Sequence, residues 1–504
     1  MIFDVAGVVR GLLPIICVLV LTYLISLTFF RLFLHPLASF PGPRVAAVTS
    51  WYEFYWNVVK GGRFLWEIER IHQHYGPVVR ITPDELHIAD PDFYHEVYSP
   101  PCKKQDKEKN YVRLGGQDGS ALTTVDHHLH RLRVSALAPF FSKQAVEKIE
   151  PLIQSKVNRL CAYFDSCIHP GTVVTVSHAA LALTVDIISS YAYGESYDCL
   201  QRADLGSEFR KILVSANEGY AILRHFHWLH AVMHRLHRWG CNTSPYIVWQ
   251  KHIAEQTVSM CSLHREGKLP AGTMFQAILD SSLPDREKEP RRLSVEAQTL
   301  LHAGSETSAK TLEIILFHLL EDTAKLERLR AELVAIMPEP TNSVSWNELR
   351  SLPYLSAVIQ EGIRLQFGIT TRSPRVSHTP MLYKDMVIPA ETPVSMLTWF
   401  VHTNEAIFPH PLEFDPDRWT LAAEHGIRLE KYLTSFGKGS RRCLGVNLAY
   451  AQITITLATL LRQFEFELFE STIDDVTPAR DCFIAYPRKG CKGVRFRVIG
   501  RVGK

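Results

Sequence analysis

The amino-acid sequence predicts a mainly α-helical protein with a smaller β part, preceded by a single membrane-spanning helix. Two long segments, Ala136 to Phe164 and Leu293 to Met337, repeat apolar residues at helical spacing. A shorter segment, Val78 to Ile88, alternates apolar and polar residues around a Pro83-Asp84 turn, which is typical of a small sheet. The run Gly11 to Phe30 contains twenty residues without a charge, enough to cross a bilayer as a helix.

The composition is that of an ordinary folded protein. Hydrophobic residues make up 46% of the 504 residues and charged residues 21%, which provides a sizeable core and excludes disorder. A net charge of +3 is too small for this length to indicate nucleic-acid binding. The ten cysteines stand singly without a C-x-x-C pair, so they indicate reduced thiols rather than a zinc ribbon or a disulfide framework.

The apolar run near the N-terminus has the features of a membrane anchor. Arg10 and Arg31 flank it, and no small-residue cleavage site follows, so we expect an anchor that stays attached rather than a signal peptide. More basic residues follow the run than precede it, and the positive-inside rule therefore places the bulk of the protein in the cytosol. A proline-rich hinge from His35 to Pro43 cannot continue the helix.

The segment FGKGSRRCLG, residues 436–445, surrounds one cysteine with three glycines and two arginines. The run that follows is apolar with helical character, so Cys443 lies just before a helix N-terminus, where a thiolate is stabilised. A lone cysteine beside a glycine-rich turn is usually an inert structural thiol. Here Gly439 and Gly445 allow the backbone to approach a flat ligand, and Arg441 suits a carboxylate, so the full pattern indicates a ligand site.

The pattern F-x-x-G-x-R-x-C-x-G, formed by Phe436, Gly439, Arg441, Cys443 and Gly445, resembles the cysteine-ligand loop of the cytochrome P450 family. In that family the cysteine thiolate is the axial ligand of the haem iron. The resemblance implies haem b as cofactor, with Cys443 as the metal ligand and Arg441 beside a haem propionate. It also implies the family's mainly helical fold.

A second motif, residues 303–308, lies inside the long helical segment that ends at Met337. Ala303 and Thr307 share one helix face, and the Thr307 hydroxyl can bond to a backbone carbonyl and open the helix locally. Gly304 would let a ligand approach, and Glu306 beside Thr307 offers an acid and a hydroxyl for proton transfer. Alone, the motif would indicate a kink or a packing notch. It resembles the family's oxygen-binding helix, which implies catalytic roles for Glu306 and Thr307 and haem contacts for Ala303 and Gly304.

Two further motifs follow in the order that the family has them. Glu361 and Arg364 lie at i, i+3 on one helix face, and with Arg418 they resemble the family's buried Glu-Arg-Arg network, which has a structural role. Arg375 matches the family's strand arginine that pairs with a haem propionate.

One motif departs from the family. The helix at residues 127–142 resembles the family helix that carries a Trp-x-x-x-Arg pair against a haem propionate, but the tryptophan position is His130 and the arginine position is Val134. We expect Arg131 or Arg133 to supply the missing charge, with a solvated basic helix face as the alternative.

Five histidines between His225 and His237 include His230 and His234, which have the spacing of a helical metal pair. An apolar stripe runs along the same segment without a carboxylate to support a metal. We therefore favour an amphipathic helix that dips into a membrane or roofs a pocket.

The resemblance covers nearly the whole chain. It divides the chain into a membrane anchor (residues 1–34), a proline-rich hinge (35–46) and a haem-thiolate monooxygenase domain (47–504). It implies oxidation of an apolar small molecule by O2, in a single-pass protein of the endoplasmic reticulum membrane with a cytosolic catalytic domain. Alternatives are an isomerase or dehydratase with the same fold and a non-enzymatic haem-binding protein.

Electrons must come from a separate protein, because the sequence contains no flavin or nicotinamide fingerprint. We expect an NADPH-cytochrome P450 reductase. Its docking surface would include the basic residues around the cysteine loop, although these also fit an ordinary solvated surface. They are Lys431, Lys438, Arg441 and Arg442.

The stretch from Phe33 through Tyr55, together with the helix end Ala138 to Ser142, looks like that of fungal family members that tailor secondary metabolites, of the trichodiene oxygenase type. The expected substrate is therefore a terpenoid or similar apolar natural product, with a polyketide hybrid or an alkaloid as the second choice. By family position, the pocket would be formed by residues 100–122, 205–240, 300–303 and 366–371.

Overall fold

Helices form most of the structure. The computed structural model describes residues 5–98, 104–113, 116–169, 171–241 and 244–502, with side chains from residue 12 onward. The α-helices of these ranges are α1 (Val5–Phe29), α2 (Arg44–Val48), α3 (Trp51–Phe54), α4 (Phe64–Tyr75), α5 (Tyr94–Tyr98), α6 (His127–Leu137), α7 (Lys143–Lys148), α8 (Glu150–Ser166), α9 (Val176–Tyr193), α10 (Ser207–His225), α11 (Trp228–Arg238), α12 (Pro245–Arg265), α13 (Met274–Asp280), α14 (Pro290–Glu321), α15 (Thr323–Ile336), α16 (Trp346–Leu349), α17 (Pro353–Gln366), α18 (Thr398–His402), α19 (Asp417–Glu424) and α20 (Val446–Gln463).

The strands are short and belong to small sheets. They are β1 (Val78–Arg80), β2 (Leu86–Ile88), β3 (Gln105–Lys107), β4 (Val174–Thr175), β5 (Arg375–Ser377), β6 (Met381–Tyr383), β7 (Met386–Ile388), β8 (Pro393–Ser395), β9 (Phe464–Leu468), β10 (Arg480–Cys482), β11 (Ile484–Tyr486) and β12 (Arg495–Arg501). The largest sheet has the order β1-β2-β8-β5-β3, a second has the order β4-β12-β9, and β6-β7 and β10-β11 form pairs. The antiparallel pair β1-β2 is the sheet region predicted from Val78 to Ile88.

The core is built around α14, which packs along α9 and also contacts α12, α17 and α20. Two glycines permit this close packing. A Cβ at Gly304 of α14 would lie 2.8 Å from Ile188 Cγ1 of α9, and a Cβ at Gly362 of α17 would overlap Ile315 of α14. Since nothing but hydrogen fits in either gap, the Ile188 and Ile315 side chains pack directly against the backbones of these glycines, which brings the helices close together.

The two long helical segments predicted from the sequence are each broken in the structure. After α6 the chain makes a 3₁₀ turn at Ala138–Phe141, because Pro139 has no N–H to continue the helix, and the Ser142 hydroxyl then caps α7. At Asp322 the side chain accepts N–H bonds from Ala324 and Lys325, which ends α14 and begins α15. Capping and proline therefore override the apolar periodicity that joined these pieces.

The N-terminal helix is long and apolar enough to cross a membrane. Residues 12–34 comprise part of α1 and a π-helical turn at Phe30–Leu34, with a mean hydropathy of 2.5 and none of the span buried against the rest of the protein.

The chain just after this helix is held by Arg80 of β1, which is 2% exposed. Its guanidinium donates to the backbone oxygen of Arg31 at 2.8 Å and to that of Pro83 at 2.7 Å, and its own N–H donates to Pro41 O at 2.7 Å. The end of the apolar helix and the proline-rich hinge are thus bound to the largest sheet.

Candidate active site

A cavity of about 350 Å³ lies between α14 and the loop that carries Cys443. Each of the four segments expected to form the pocket contributes lining residues, although residues 100–103, 114 and 115 lie outside the described ranges. The walls are mostly apolar, with Leu122, Leu300, Ile369 and Phe483 among them. An enclosed apolar space of this size is suited to a small hydrophobic ligand.

Cys443 faces this cavity just before α20. Gly437 and Gly439 adopt φ of +64° and +70°, which favours glycine, and the turn they form lets the Cys443 N–H donate to Phe436 O at 2.9 Å. The thiol is exposed to the cavity space rather than packed. Burial in the protein raises the pKa of Cys443, while the backbone N–H of Gly445 and the charge of Arg442 act in the opposite direction. A bound metal cation would deprotonate such a thiol.

Ala303 and Thr307 line the same cavity from α14. The Thr307 hydroxyl donates to Ala303 O at 3.0 Å, as expected from the sequence. Gly304 also lines the cavity, but its missing side chain is needed mainly for the contact with Ile188 rather than for ligand approach.

The Glu306 carboxylate is held by three groups from three parts of the chain. It accepts hydrogen bonds from Tyr486 of β11 and from Asn217 of α10, the latter at 2.7 Å, and lies 3.6 Å from His302 Nε2. Burial acts to raise the pKa of Glu306, but His302 and Tyr486 together hold it below its ordinary value. The carboxylate is therefore ionised and engaged at the edge of the cavity.

One wall of the cavity carries positive charge. Arg375 donates to Ser373 O at 2.9 Å, and its guanidinium lies 4.9 Å from the centre of the Tyr98 ring. Arg441 donates to Val125 O at 2.6 Å, while its buried Nε has no hydrogen-bond partner among the described residues. Burial and the charge of Arg375 lower the pKa of Arg441 to about 10. Within the described part of the chain, neither arginine has a carboxylate at ion-pair distance, so a bound anion would stabilise this wall.

A family model described as cytochrome P450 matches residues 47–490. The chain belongs to the cytochrome P450 family. It is 41% identical over 487 residues to conidiogenone synthase PchP450 of Penicillium rubens, covering 95% of this chain and 97% of that protein. It is 39% identical to the tryptophan 6-hydroxylase fscE of Fusarium equiseti, covering 97% and 98% of the two chains.

A further relative is the cytochrome P450 monooxygenase TRI4 of Trichoderma arundinaceum, which is 35% identical and covers 93% of this chain and 92% of that protein. A crystal structure of a cytochrome P450 superposes with a TM-score of 0.71 at 19% identity, covering 87% of this chain and 94% of that chain. These likenesses establish the predicted fold and an oxidoreductase of the monooxygenase family.

The residues of this P450 fit the haem that the family implies. The open Cys443 thiol could supply the thiolate ligand, and the Nε of Arg441, which has no hydrogen-bond partner among the described residues, offers a place for an anion. Arg375 and Arg441 line the cavity as the sequence predicted for propionate contacts, with Phe436, Gly439 and Gly445 shaping the loop.

The expectation that Arg131 or Arg133 replaces the missing helix arginine is wrong. Arg131 of α6 is exposed, and Arg133 donates to Glu287 Oε2 at 2.7 Å and to the Thr124 hydroxyl at 2.7 Å. Neither side chain lines the cavity, whereas His130 and Val134 do. Arg131 is turned to solvent and Arg133 toward Glu287 and Thr124, while the i, i+4 spacing of His130 and Val134 places both of them on the cavity face.

The predicted Glu-Arg-Arg network is present and fully buried. Glu361 accepts from Arg364 Nη2 at 2.7 Å, from Arg418 Nε at 3.0 Å and from Trp419 Nε1 at 2.9 Å. The Asp415 N–H completes the set at 2.9 Å. The network joins α17 to the segment that leads to α19.

The histidine pair of α11 contacts one amide oxygen. His230 Nε2 and His234 Nε2 lie 3.0 and 3.2 Å from the same Gln250 oxygen. The described ranges contain no group of three or more His, Cys, Asp or Glu that could hold a metal ion. Trp228 and Trp239 are exposed at the two ends of the helix, which agrees with the amphipathic helix favoured above.

Asn217 and Tyr486 were not identified from the sequence. Neither residue belongs to a recognisable sequence motif. Only the fold brings α10 and β11 to Glu306.

Proposed function

We propose that this cytochrome P450 uses O2 and electrons from an NADPH-cytochrome P450 reductase to oxygenate an apolar natural product, a terpenoid or related fungal secondary metabolite. The observation that carries the proposal is the pairing, around one apolar cavity, of the open Cys443 thiol with the Ala303–Thr307 face of α14. That pairing combines a site for iron with a hydroxyl placed to handle protons.

When bound, haem b supplies thiolate-ligated iron that activates dioxygen. Cys443 would hold the iron, and Arg375 and Arg441 would orient the cofactor through its carboxylates. The Thr307 hydroxyl, which donates to Ala303 O, would turn to donate into the cavity, and the ionised Glu306 carboxylate would accept a proton from water and pass it to Thr307. The apolar walls exclude water and hold the substrate against this helix face.

The apolar walls favour a hydrocarbon-rich substrate over a charged one. Relatives of comparable identity are named for unlike activities, conidiogenone synthesis and tryptophan 6-hydroxylation. Overall identity therefore does not choose between them, and the chemistry of the cavity supports the terpenoid class.

The apolar N-terminal helix supports an anchored protein, with residues 1–34 as anchor, 35–46 as hinge and 47–504 as a cytosolic catalytic domain at the endoplasmic reticulum. The reductase surface would include Lys431, Lys438 and exposed Arg442. Arg441 leaves that surface, because its guanidinium is directed to Thr124 and Val125 in the cavity wall.

The test is mass spectrometry of metabolites from the native producer with and without this chain, grown under ¹⁸O2. We expect an apolar precursor to accumulate without the chain, and restoration to add labelled oxygen. A Cys443→Ala chain is the control and should restore nothing. A product of unchanged mass would contradict oxygenation and indicate rearrangement. Product formation in isolated membranes without reductase and NADPH would contradict the proposed electron source.

A further inference from the structure

One part of the mostly apolar cavity wall is polar. Gln117, from the segment between β3 and α6, and His302 of α14 both line the cavity, and the motifs described above include neither. Gln117 is only 4% exposed. A buried amide costs stability unless its donors and its acceptor are bonded. The hydrogen bonds of this pair therefore decide whether it is structural or available to a ligand.

The side-chain contacts of Gln117 with the described residues are all long. Its Nε2 lies 3.4 Å from the Tyr246 hydroxyl and 3.5 Å from His302 Nδ1. Both distances exceed the usual range of about 2.7–3.2 Å for a hydrogen bond. Its Oε1 lies 3.4 Å from the Thr299 hydroxyl, whose single hydrogen has a nearer acceptor in Val295 O at 2.9 Å. The amide therefore has no short hydrogen bond within the described ranges.

The imidazole of His302 also has an unused polar atom. Its Nε2 is buried without a hydrogen-bond partner in the described part of the chain, and Glu306 Oε2 lies 3.6 Å from it. That separation is too long for a direct hydrogen bond, whereas an oxygen atom beside both groups could bridge them. Because the Glu306 carboxylate is ionised, this part of the cavity repels an anion and suits an uncharged polar group.

Other atoms hold the two side chains in place. The Thr123 hydroxyl donates to the backbone oxygen of Gln117 at 2.7 Å, and the Ala121 N–H donates to Glu296 Oε2 of α14 at 3.0 Å. These bonds tie the segment that carries Gln117 to the helix that carries His302. A site that is ordered before binding loses less freedom when a ligand enters. The unused polar atoms are therefore presented to the cavity in a fixed arrangement.

We propose that Gln117 and His302 bind a hydroxyl group carried by an otherwise hydrocarbon substrate. This inference rests on the proposed function and deepens it, since it names a terpenoid alcohol as the substrate class. A hydroxyl donates one hydrogen bond and accepts others, so it matches an amide oxygen without a short donor and a neighbouring N–H. The preferred substrate already contains oxygen, and an earlier hydration or oxygenation reaction must supply it.

The first test is spectral titration of the purified holoprotein with cyclododecanol, cyclododecanone and cyclododecane, which share one ring size. Wild type should bind cyclododecanol roughly threefold to tenfold more tightly than cyclododecane, as net hydrogen-bond energies imply. Gln117→Met keeps most of the side-chain volume and removes the amide. It should abolish the preference for the alcohol without weakening the binding of cyclododecane.

Gln298→Met is the matched control. Gln298 is a buried amide of α14 that donates and accepts outside the cavity lining, where it is bonded to Gln250 at 3.0 Å. This variant should keep the wild-type preference. Equal wild-type affinities for cyclododecanol and cyclododecane, or an unchanged preference in Gln117→Met, would overturn the inference. Tighter binding of cyclododecanone than of cyclododecanol would also overturn it, because a ketone has no hydrogen to donate to Gln117.

A second test needs no variant. The accurate mass of the precursor that accumulates in the producer without this chain should show at least one oxygen atom, before the chain adds its own from ¹⁸O2. A hydrocarbon precursor would overturn the inference and leave the proposed oxygenation intact. A precursor and a product of equal mass, or a wild-type protein that takes up no haem, would instead refute the proposed function.

Discussion

Two clusters of buried charge lie close to the Cys443 loop, and they differ in composition. The first surrounds Glu361, whose carboxylate binds two arginines, a tryptophan N–H and a backbone N–H. The second, Lys107 with Arg375 and Arg441, contains cations alone. Both are shielded from solvent by the same domain.

The difference separates a structural network from a binding site. Burying a charge is costly unless a partner compensates it, and the Glu361 network contains its own partners. The cationic cluster contains no such partner within hydrogen-bond or ion-pair distance among the described residues, so a bound anion would stabilise it. Removing a charge should therefore have opposite effects on stability in the two places. Glu361→Gln and Arg375→Met test this directly, and two smaller changes test neighbouring polar contacts outside the two clusters.

The largest effect is expected for Glu361→Gln. It leaves Arg364 and Arg418 buried without their carboxylate, and the cost of breaking such a pair is about 3–5 kcal/mol. We expect little folded, haem-containing protein, as measured by chemical unfolding and by the carbon monoxide difference spectrum. Glu327→Gln is the matched control, because Glu327 pairs with Arg330 at the same i, i+3 spacing on the surface and should cost less than about 1 kcal/mol. Equal losses would show that burial is not the deciding factor.

Arg375→Met should affect the stability of the apoprotein and the binding of haem in different directions. Without haem the change removes repulsion from Lys107 and Arg441, so the melting temperature of the apoprotein should stay the same or rise. With haem it removes a charged hydrogen bond worth about 1.5–3 kcal/mol, so haem binding should weaken. Differential scanning calorimetry of both forms checks this. Destabilised apoprotein would instead place Arg375 in a structural role like that of Arg364.

Tyr486→Phe should have a smaller effect, at the edge of the cavity. The Tyr486 hydroxyl lowers the pKa of Glu306, so its loss should move the Glu306-dependent limb of the pH–turnover profile to higher pH. The cost in stability should be about 0.5–1.5 kcal/mol. Tyr197→Phe removes a similar hydroxyl, bonded to Gln256 at 2.9 Å, and should leave the profile unchanged. A shift of the pH–turnover profile in both variants would indicate a general loss of structural stability rather than an effect on Glu306.

The smallest effect is expected for His230→Gln. His230 shares an amide oxygen with His234 on a partly exposed helix, so its loss should change stability by less than about 0.5 kcal/mol. Treatment with EDTA should change the melting temperature of neither the wild type nor the variant. If EDTA lowers the melting temperature of the wild type but not that of His230→Gln, the result would indicate that His230 and His234 bind a metal ion.

The parts of this site that the sequence predicted are those carried by local motifs. Cys443 with its glycines, and Thr307 with Ala303, lie within a few residues of their partners, so spacing alone determines how they meet. Lys107 could not be found in this way, because its neighbour Arg375 is brought to it by strand pairing across most of the domain. The sequence shows that Val134 of α6 stands where the family has arginine. It does not show that Arg133, the nearest arginine on that helix, binds Glu287 instead of reaching the cavity.

The bonds from Arg80 to the end of the apolar helix have a mechanical consequence. Arg80 belongs to β1, an edge strand of the sheet that also contains Lys107 and Arg375. If the N-terminal helix tilts in a bilayer, this sheet would rotate with it. The bonds of Arg80 to Arg31 and Pro41 would limit independent rotation of the chain at the prolines. The thickness of the surrounding lipid would thereby set the angle at which the cavity entrance meets the membrane surface.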